Sequence, residues 1–251
     1  MLKIATFNLR IPVESDGVNY FPNRAPGIVR WVRENAPHAI GFQELTALSL
    51  DILQKALPEY AFVGTARDAA FQGERCCIAY RHEQLALDAL DTVWLSPTPY
   101  VPGSRFPVQG PHPRVMTWAR LRFKEDGRRF YLVNTHLDHK QEEARMLGLE
   151  QVLKTAREFF ARDVLPIFVT GDFNFTPAEA PYALIEQYGF TDLTATLQGT
   201  AHGFGRHSSN KIDYILSAQS YDRAQAVNTH ICREGVYLSD HDPVLATLSE
   251  L

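Results

Sequence analysis

Short apolar runs that stop at polar residues recur along this chain. Residues 2–9 alternate apolar with small or polar side chains before a polar end, and the apolar run 39–42 leads into Glu44. The β-branched and aromatic run 167–170 likewise ends close to Asp172. Runs of this length and composition, bounded by turn-forming residues, predict buried strands that end in polar side chains.

The polar residues at these strand ends are candidates for function. In open α/β sheets, ligands bind beyond the carboxyl ends of the strands. Asp172 and Asn174 lie one residue apart at such an end, a composition that also suits a simple turn. A further strand-like run, 130–135, ends at His136 in the same way. The repetition favours a shared site over a set of unrelated turns.

Helical and loop patterns fill the remainder of the chain. Apolar residues at helical spacing predict helices at 28–35, 48–57, 142–160 and 182–185. Proline- and glycine-bearing segments predict long loops, which in compact domains are usually functional, at 11–27, 66–75, 96–114 and 198–210.

The order of these elements favours two sheets over one. A strand, a helix and a strand with an acidic end occur at 2–44 and again at 130–172. Predicted hairpins at 115–135 and 212–248 imply antiparallel pairing, which argues against a single doubly wound parallel sheet. We expect an α/β fold with two mixed sheets packed face to face and flanked by helices. The length fits one domain over residues 1–251.

Composition narrows the class of protein. The hydrophobic fraction of 45% and the charged fraction of 22% are ordinary for a globular protein. A net charge of −4 disfavours, but leaves open, nucleic acid as a partner. Cys76 and Cys77 are adjacent and Cys232 stands alone, which predicts reduced thiols in the cytoplasm. The first residues show neither a signal peptide nor a membrane span, so we expect no membrane partner.

The strand ends together form an oxygen-rich set with two histidines. Carboxylates and amides are the ligands that Mg²⁺ and Mn²⁺ prefer, and histidines suit proton transfer and charge stabilisation. A divalent cation, histidines and an acid that positions water are the equipment for phosphoester hydrolysis. The members of the set are Asn8, Glu44, His136, Asp172, Asn174, Asp213, Asp240 and His241.

Six short motifs in this order resemble the endonuclease/exonuclease/phosphatase superfamily, which includes DNase I, the AP endonucleases and the deadenylases. They span nearly the whole chain, and six in order are far more specific than any one alone. The resemblance implies a four-layer α/β/β/α sandwich and a metal-dependent phosphoesterase. The motifs are Thr6-Phe7-Asn8, Gln43-Glu44, Asn134-Thr135-His136-Leu137, Gly171-Asp172-Phe173-Asn174, Ile212-Asp213-Tyr214-Ile215 and Ser239-Asp240-His241.

The resemblance also implies how the metal is held. Glu44 corresponds to the principal Mg²⁺ ligand, with Asn8 and Asp240 close to the metal. Mn²⁺ is expected to substitute for Mg²⁺, because both are hard cations bound by oxygen.

The same resemblance implies the catalytic roles. Asp172 orients or deprotonates the attacking water, and Asn174 holds the phosphate. His136 donates to a phosphate oxygen. His241 acts on the scissile phosphate and is oriented by Asp213. Both Asp172 and His241 are assigned as catalytic, and the choice of general base between them stays open.

At two places the sequence differs from the AP endonucleases, which argues against a DNA-repair enzyme. Arg10 stands where AP endonucleases have an acid, and Leu45-Thr46 follows Glu44 where they usually have Thr-Lys. Segments such as Thr117-Trp118-Ala119-Arg120 resemble a small, single-domain bacterial branch nearer the deadenylase-type members. Some members of that branch resemble sugar-phosphate phosphatases.

Further polar residues are candidates for contact with substrate, each weighed against simple exposure at the surface. They are Arg10, Glu74, Arg114, His139, His202 and Phe204. The leading hypothesis is a monomeric Mg²⁺-dependent hydrolase of a sugar phosphate or nucleotide. The alternatives are a nuclease or deadenylase acting on DNA or RNA, and a non-catalytic binding module on the same fold.

Overall fold

The computed structural model describes residues 1–221 and 223–249. Its α-helices are α1 (Phe21–Asn35), α2 (Ala47–Ala56), α3 (Glu142–Asp163) and α4 (Ala183–Gln187), with 3-10 turns at Glu14–Asn19 and Ala180–Tyr182. The strands are β1 (Leu2–Asn8), β2 (Ala39–Leu45), β3 (Tyr60–Val63), β4 (Arg75–Arg81), β5 (Leu85–Trp94), β6 (Val115–Phe123), β7 (Arg129–His136), β8 (Ile167–Asp172), β9 (Thr191–Asp192), β10 (Asp213–Ser217), β11 (Ala224–Asn228), β12 (Cys232–Arg233), β13 (Val236–Tyr237) and β14 (Val244–Leu248).

Two six-stranded mixed sheets pack face to face. The first has the order β11–β14–β1–β2–β4–β3 and the second β5–β6–β7–β8–β10–β9. Each contains one parallel pair, β1 with β2 and β7 with β8, joined through α1 and α3 respectively. These pairs are the two similar strand–helix–strand units expected from the sequence. The four-layer α/β/β/α sandwich is therefore confirmed.

Two expectations about individual elements are wrong. The predicted hairpin at 212–248 does not form, because β10 pairs with β8 in the second sheet while β14 pairs with β1 in the first. Helix α1 begins at Phe21, inside a segment expected to be loop. Pro22 lies in its first turn, where a missing N–H breaks no helical hydrogen bond. Burial of Phe21 and Ala25 then extends the apolar face of the helix.

Three apolar clusters hold the four layers together. Ile4 and Phe168 belong to the cluster between the sheets. Phe7 and Trp31 belong to the cluster that joins the first sheet to α1. Leu149 belongs to the cluster that joins α3 to the second sheet. Burial of these side chains provides the main favourable free energy of folding.

Strand periodicity places the polar strand ends in one space. Side chains alternate between the two faces of a strand, so Asn8 shares a face of β1 with Ile4, and Asp172 shares a face of β8 with Phe168. Since Ile4 and Phe168 pack between the sheets, both polar ends open into the same inter-sheet space. The same alternation directs the side chains of His136, the last residue of β7, and Asp213, the first residue of β10, into the inter-sheet space.

A buried polar network ties the two sheets together beneath these ends. Asn134 Nδ2 donates to the carbonyls of Phe42 and Cys77 at 2.9 and 3.0 Å, across the sandwich. Its Oδ1 accepts from Gln43 Nε2 at 2.7 Å. Gly41 leaves the room for this network, since a Cβ there would lie 2.5 Å from Asn134 Oδ1. With its hydrogen bonds made, such a network fixes the alignment of the sheets.

Stability is expected to fall in acid through His38, the residue that precedes β2. Its Nδ1 accepts the Lys3 N–H at 3.0 Å, and burial lowers the pKa of His38 to about 4. The unfolded chain binds the proton near pH 6.5, so stability is complete above that pH and is lost as the pH falls toward 4. Because the ring is partly exposed, the loss attributable to His38 is on the order of 1 kcal/mol.

Urea unfolding at pH 7.5 and pH 4.5 measures this loss. His38→Asn is the matched control, because an amide oxygen accepts the same N–H without titrating. The variant is expected to lose less stability than the wild type between the two pH values, and equal losses would contradict the prediction.

Within the part of the chain that the structure describes, no helix has the length and apolar character needed to cross a lipid bilayer. The exclusion of membrane partners and the cytoplasmic location stay predictions.

Candidate active site

Three residues at or just beyond the strand ends have a left-handed backbone conformation. The register between β2 and β4 shifts between Phe42 and Leu45, and Glu44 within this irregularity has φ 59°. Arg10 and Asn174, just beyond β1 and β8, also have positive φ values of 53° and 54°. Non-glycine residues adopt this conformation at a cost that clusters at functional sites.

Asn8 connects the two sheets at the centre of the site. Its Nδ2 donates to Glu44 Oε1 at 3.2 Å and to Asp172 Oδ2 at 2.9 Å. The Arg10 N–H donates to Asn8 Oδ1 at 2.9 Å, and the Ile11 N–H donates to Glu44 Oε2 at 2.8 Å. These bonds hold the Glu44 and Asp172 carboxylates on either side of one amide.

His241 is oriented by a carboxylate on the second sheet. Its Nδ1 donates to Asp213 Oδ2 at 2.8 Å, and the same oxygen accepts from Thr200 Oγ1 at 2.6 Å. The opposite nitrogen, Nε2, lies 3.9 Å from Asp172 Oδ2. Burial disfavours the imidazolium, but the charge of Asp213 and its hydrogen bond outweigh it and raise the pKa of His241 well above its usual range. This is the geometry expected for an oriented, charge-stabilising histidine.

Asp172 lies at the meeting point of both histidines. His136 Nε2 is 3.4 Å and His241 Nε2 is 3.9 Å from its Oδ2. Burial raises the pKa of Asp172 to about 7, with Asp213 adding to the effect and His241 opposing it. Burial lowers the pKa of His136 well below the usual value. A perturbed carboxyl and two histidines around one space are the features of a proton-transfer site.

Asn174 lies two residues beyond the end of β8 and contacts Asp172. Its backbone N–H donates to Asp172 Oδ1 at 2.9 Å, the Asx-turn geometry that the sequence allowed. Its side-chain Nδ2 donates to the Leu137 carbonyl at 3.1 Å. The turn and the site are therefore built from the same residues.

The oxygen donors of the site fit a hard divalent cation. Glu44 supplies a carboxylate and Asn8 an amide oxygen, and Asp240 stands nearby with its Oδ2 3.9 Å from Arg10 Nε. Oxygen donors without thiolates suit Mg²⁺ or Mn²⁺. A second group of possible ligand atoms, all within 4.8 Å of one another, is formed by Asp172, Asp213 and His241.

A buried recess adjoins Glu44 and His136. It has a volume of about 10 Å³ and is also lined by Arg67, Glu74 and Arg114. Arg114 is 4% exposed, and its Nε and Nη1 have no hydrogen-bond partner among the described residues.

Among the described residues, Arg114 forms no hydrogen bond with a carboxylate that would neutralise its positive charge. Its Nη2 donates to His139 Nδ1 at 3.0 Å, a neutral acceptor whose pKa burial lowers. A buried cation with unpartnered N–H groups is costly unless an anion binds there. The predicted candidates Glu74 and Arg114 thus line one recess with Glu44 and His136, and His139 joins them through its bond with Arg114.

His202 and Phe204 occupy a different environment. His202 Nδ1 accepts the Gly205 N–H at 3.1 Å, so its proton lies on Nε2, which faces Asp242 Oδ1 at 3.2 Å. His230 Nδ1 lies 2.9 Å from the same oxygen.

Phe204 is 8% exposed and packs against Tyr237. These contacts favour a structural role for the loop containing His202 and Phe204. The assignment of these two residues as substrate contacts stays a prediction.

Several residues with direct contacts to the site were not predicted. Arg24 in α1 donates to the carbonyls of Leu9 and Leu238 at 2.8 and 2.7 Å and so fastens two site loops together. Thr200 supports Asp213, and Arg67 lines the recess. All three residues lie in segments predicted to be functional loops, Arg24 in 11–27, Arg67 in 66–75 and Thr200 in 198–210, but no pattern in those segments singled them out.

The facing sheets and their shared polar edge define the DNase I-like α/β sandwich, a fold of phosphoesterases. The chain belongs to the Endonuclease/Exonuclease/phosphatase family, whose family model matches residues 5–241. The predicted membership is therefore confirmed. No curated protein sequence matches the chain.

Solved structures share this fold over their full length. An endonuclease/exonuclease/phosphatase from Bacteroides vulgatus is 28% identical, with 99% of each chain covered and a TM-score of 0.88. A mannosyl-6-phosphatase of Bacteroides thetaiotaomicron is 28% identical, with 100% of each chain covered and a TM-score of 0.89. TDP2 of D. rerio, complexed with a single-strand DNA product, is 20% identical, with 99% of each chain covered and a TM-score of 0.78, a likeness of fold alone.

Proposed function

We propose that this protein is an Mg²⁺- or Mn²⁺-dependent hydrolase of a small phosphate ester, a sugar phosphate or a nucleotide. The observation that carries the proposal is the convergence of both sheets on Asn8, which hydrogen-bonds Glu44 on one side and Asp172 on the other. The unpartnered N–H groups of Arg114, beside Glu44 and His136, support an anionic substrate.

Glu44, Asn8 and Asp240 would hold the metal. When bound, the cation neutralises charge on the phosphate and lowers the pKa of a coordinated water. Arg10 places a positive charge beside Asp240, 3.9 Å away, and so partly balances the acidic set in the absence of substrate.

The protein's own groups divide the remaining work. Asp172 and the Nε2 face of His241 border the space for the attacking water. Asp172 can orient the water or accept its proton, whereas His241, which its raised pKa keeps protonated, can orient the water and stabilise charge. Asp213 fixes the ring of His241 through Nδ1. His136 and Asn174 flank Asp172 and would donate to non-bridging phosphate oxygens as charge develops there.

A small substrate is supported by two observations. The net charge of −4 lacks the basic excess typical of proteins that bind nucleic-acid backbones. The mannosyl-6-phosphatase of similar fold covers the whole chain at 28% identity. One domain over residues 1–251, a monomeric state and the residue roles above all stay predictions.

Removal of divalent metal is expected to abolish activity. Protein treated with a chelator should hydrolyse p-nitrophenyl phosphate at under about 1% of the rate with Mg²⁺, since the cation would supply most of the charge neutralisation. Added Mg²⁺ or Mn²⁺ should restore the rate. Full activity in excess chelator would contradict metal dependence, and no hydrolysis of any phosphate ester with either metal would favour the non-catalytic binding module.

Salt dependence distinguishes the nuclease alternative. Between about 50 and 200 mM salt, kcat/KM for a one-phosphate substrate should change far less than the 10³-fold or more expected of binding through many phosphates. A steep fall with an oligonucleotide, together with a preference for that substrate, would favour a nuclease.

A further inference from the structure

A groove adjoins the recess and opens to the surface. It has a volume of about 460 Å³ and lies between the loop 66–75 and the segment 112–113. Arg67 and Glu74 line both the recess and the groove, so they stand at the junction between the two, next to the recess residues Glu44 and His136. Ile11 and Leu48 provide an apolar ledge along the groove.

The loop that carries Arg67 and Glu74 is fixed by its own hydrogen bonds. The Arg67 N–H donates to the Glu74 carbonyl at 2.9 Å, directly beside a β-bridge between Ala66 and Arg75. Asp68 Oδ1 accepts two backbone N–H groups from the tip of the loop at 3.0 and 2.7 Å. The junction residues are therefore held in place before substrate arrives, which lowers the entropic cost of binding.

Arg67 and Glu74 form a pair that retains hydrogen-bonding capacity. Arg67 Nη2 donates to Glu74 Oε1 at 2.6 Å, and the side chains are only 13% and 19% exposed. This bond leaves Glu74 Oε2 and further N–H groups of Arg67 unused toward the described residues. Neighbouring donors and acceptors match vicinal hydroxyl groups, each of which both donates and accepts.

The charges and rings of the groove select against a nucleotide. Asp68 and Glu74 outnumber Arg67 along it, so a leaving group with a further phosphate would meet net negative charge. His112 supplies the one aromatic ring among the groove's described lining residues, whereas nucleobase sites rely on aromatic stacking. An uncharged, hydroxyl-rich group satisfies both conditions.

We propose that Arg67 and Glu74 form the leaving-group subsite for the ring hydroxyls of a sugar monophosphate, and that they determine the preference for it over nucleotides. This inference rests on the proposed phosphoester hydrolysis. The ring's C–H groups lie against Ile11 and Leu48, while its hydroxyls exchange hydrogen bonds with the charged pair.

The test compares kcat/KM for three substrates with Mg²⁺ present: a hexose 6-phosphate, a nucleoside 5′-monophosphate and p-nitrophenyl phosphate. The wild type is expected to prefer the hexose phosphate to the nucleotide by about tenfold or more. In Glu74→Gln, the ratio of hexose phosphate to aryl phosphate kcat/KM should fall by about tenfold or more, since hydrogen bonds to a charged group are lost.

Arg67→Lys provides a second variant that keeps the charge but loses the planar donor fork, and the same ratio should fall. Glu59→Gln is the matched control, because Glu59 belongs to a pair with Arg33 outside the lining of the groove and recess. Its ratio should equal that of the wild type.

Two results separate the two proposals. The sugar subsite is overturned, while hydrolysis stands, if the wild type hydrolyses aryl phosphate but has a higher kcat/KM for the nucleotide than for the hexose phosphate. It is also overturned if Glu74→Gln lowers kcat/KM for all three substrates by the same factor. If the metal-loaded wild type hydrolyses none of the three, the proposed function itself is overturned.

Discussion

His241→Ala is expected to lower kcat for p-nitrophenyl phosphate by about 10³-fold or more. The imidazole faces Asp172 through Nε2 at 3.9 Å and is held by Asp213 through Nδ1 at 2.8 Å. Loss of a group that moves a proton or stabilises developing charge costs about 10²–10⁴-fold, and this residue is positioned for both. His82→Ala is the matched control, since His82 is an exposed histidine that contacts the Pro58 carbonyl.

A double mutant of Asp213 and His241 provides a second test of the role of His241. If Asp213 acts by orienting His241, Asp213→Asn lowers kcat in the wild type but has little further effect in His241→Ala. Additive losses would show that Asp213 acts independently of the histidine. Activity of His241→Ala near the wild-type level would remove His241 from the proposed machinery.

Glu44→Gln is expected to lower kcat/KM by about 10²–10³-fold and to raise the Mg²⁺ concentration needed for half-maximal activity by at least about tenfold. Glutamine keeps the size of the side chain but removes the charge. It also retains an oxygen that can accept from Asn8 Nδ2 or the Ile11 N–H, so the fold should persist. The measurements are a Mg²⁺ titration of initial rates and direct Mn²⁺ binding by calorimetry.

Calorimetry of Mn²⁺ binding tests whether Glu44 is a metal ligand without relying on enzyme activity. Weaker Mn²⁺ binding with lost activity supports Glu44 as a metal ligand. Lost activity with unchanged Mn²⁺ affinity would place the ion elsewhere, for example near Asp172 and Asp213, whose carboxylate oxygens also lie within 4.8 Å of each other. Glu83→Gln, at an exposed position, should change neither quantity.

Much of the site was predictable because its residues occupy regular positions on strands. Asn8 and Asp172 each lie four residues after a buried apolar residue on the same strand face, Ile4 and Phe168, so strand alternation alone brings them to one inter-sheet space. The pattern of polar ends was visible in the sequence for the same reason. Glu44 is the exception. The direction of its side chain depends on a left-handed backbone conformation, which the hydrophobic pattern of the sequence does not predict.

The remaining contacts depend on tertiary packing that leaves little local signal. Arg24 finds its carbonyl partners across 15 and 214 residues, and Thr200 reaches Asp213 from a neighbouring loop. The partner of β14 was predicted wrongly because antiparallel strands can pair with any exposed strand edge, and β1 offered one in the other sheet. Hydrophobic alternation predicts which face of a strand is buried, but it does not predict which other strand it pairs with.

The Asn8 contacts join groups from both sheets, so a partly folded chain with only one sheet assembled could hold no complete site. Recovery of turnover during refolding should therefore lag behind the formation of secondary structure and coincide with docking of the two halves. Catalysis would then serve as a kinetic probe of the last step of assembly, one that circular dichroism of the backbone does not detect.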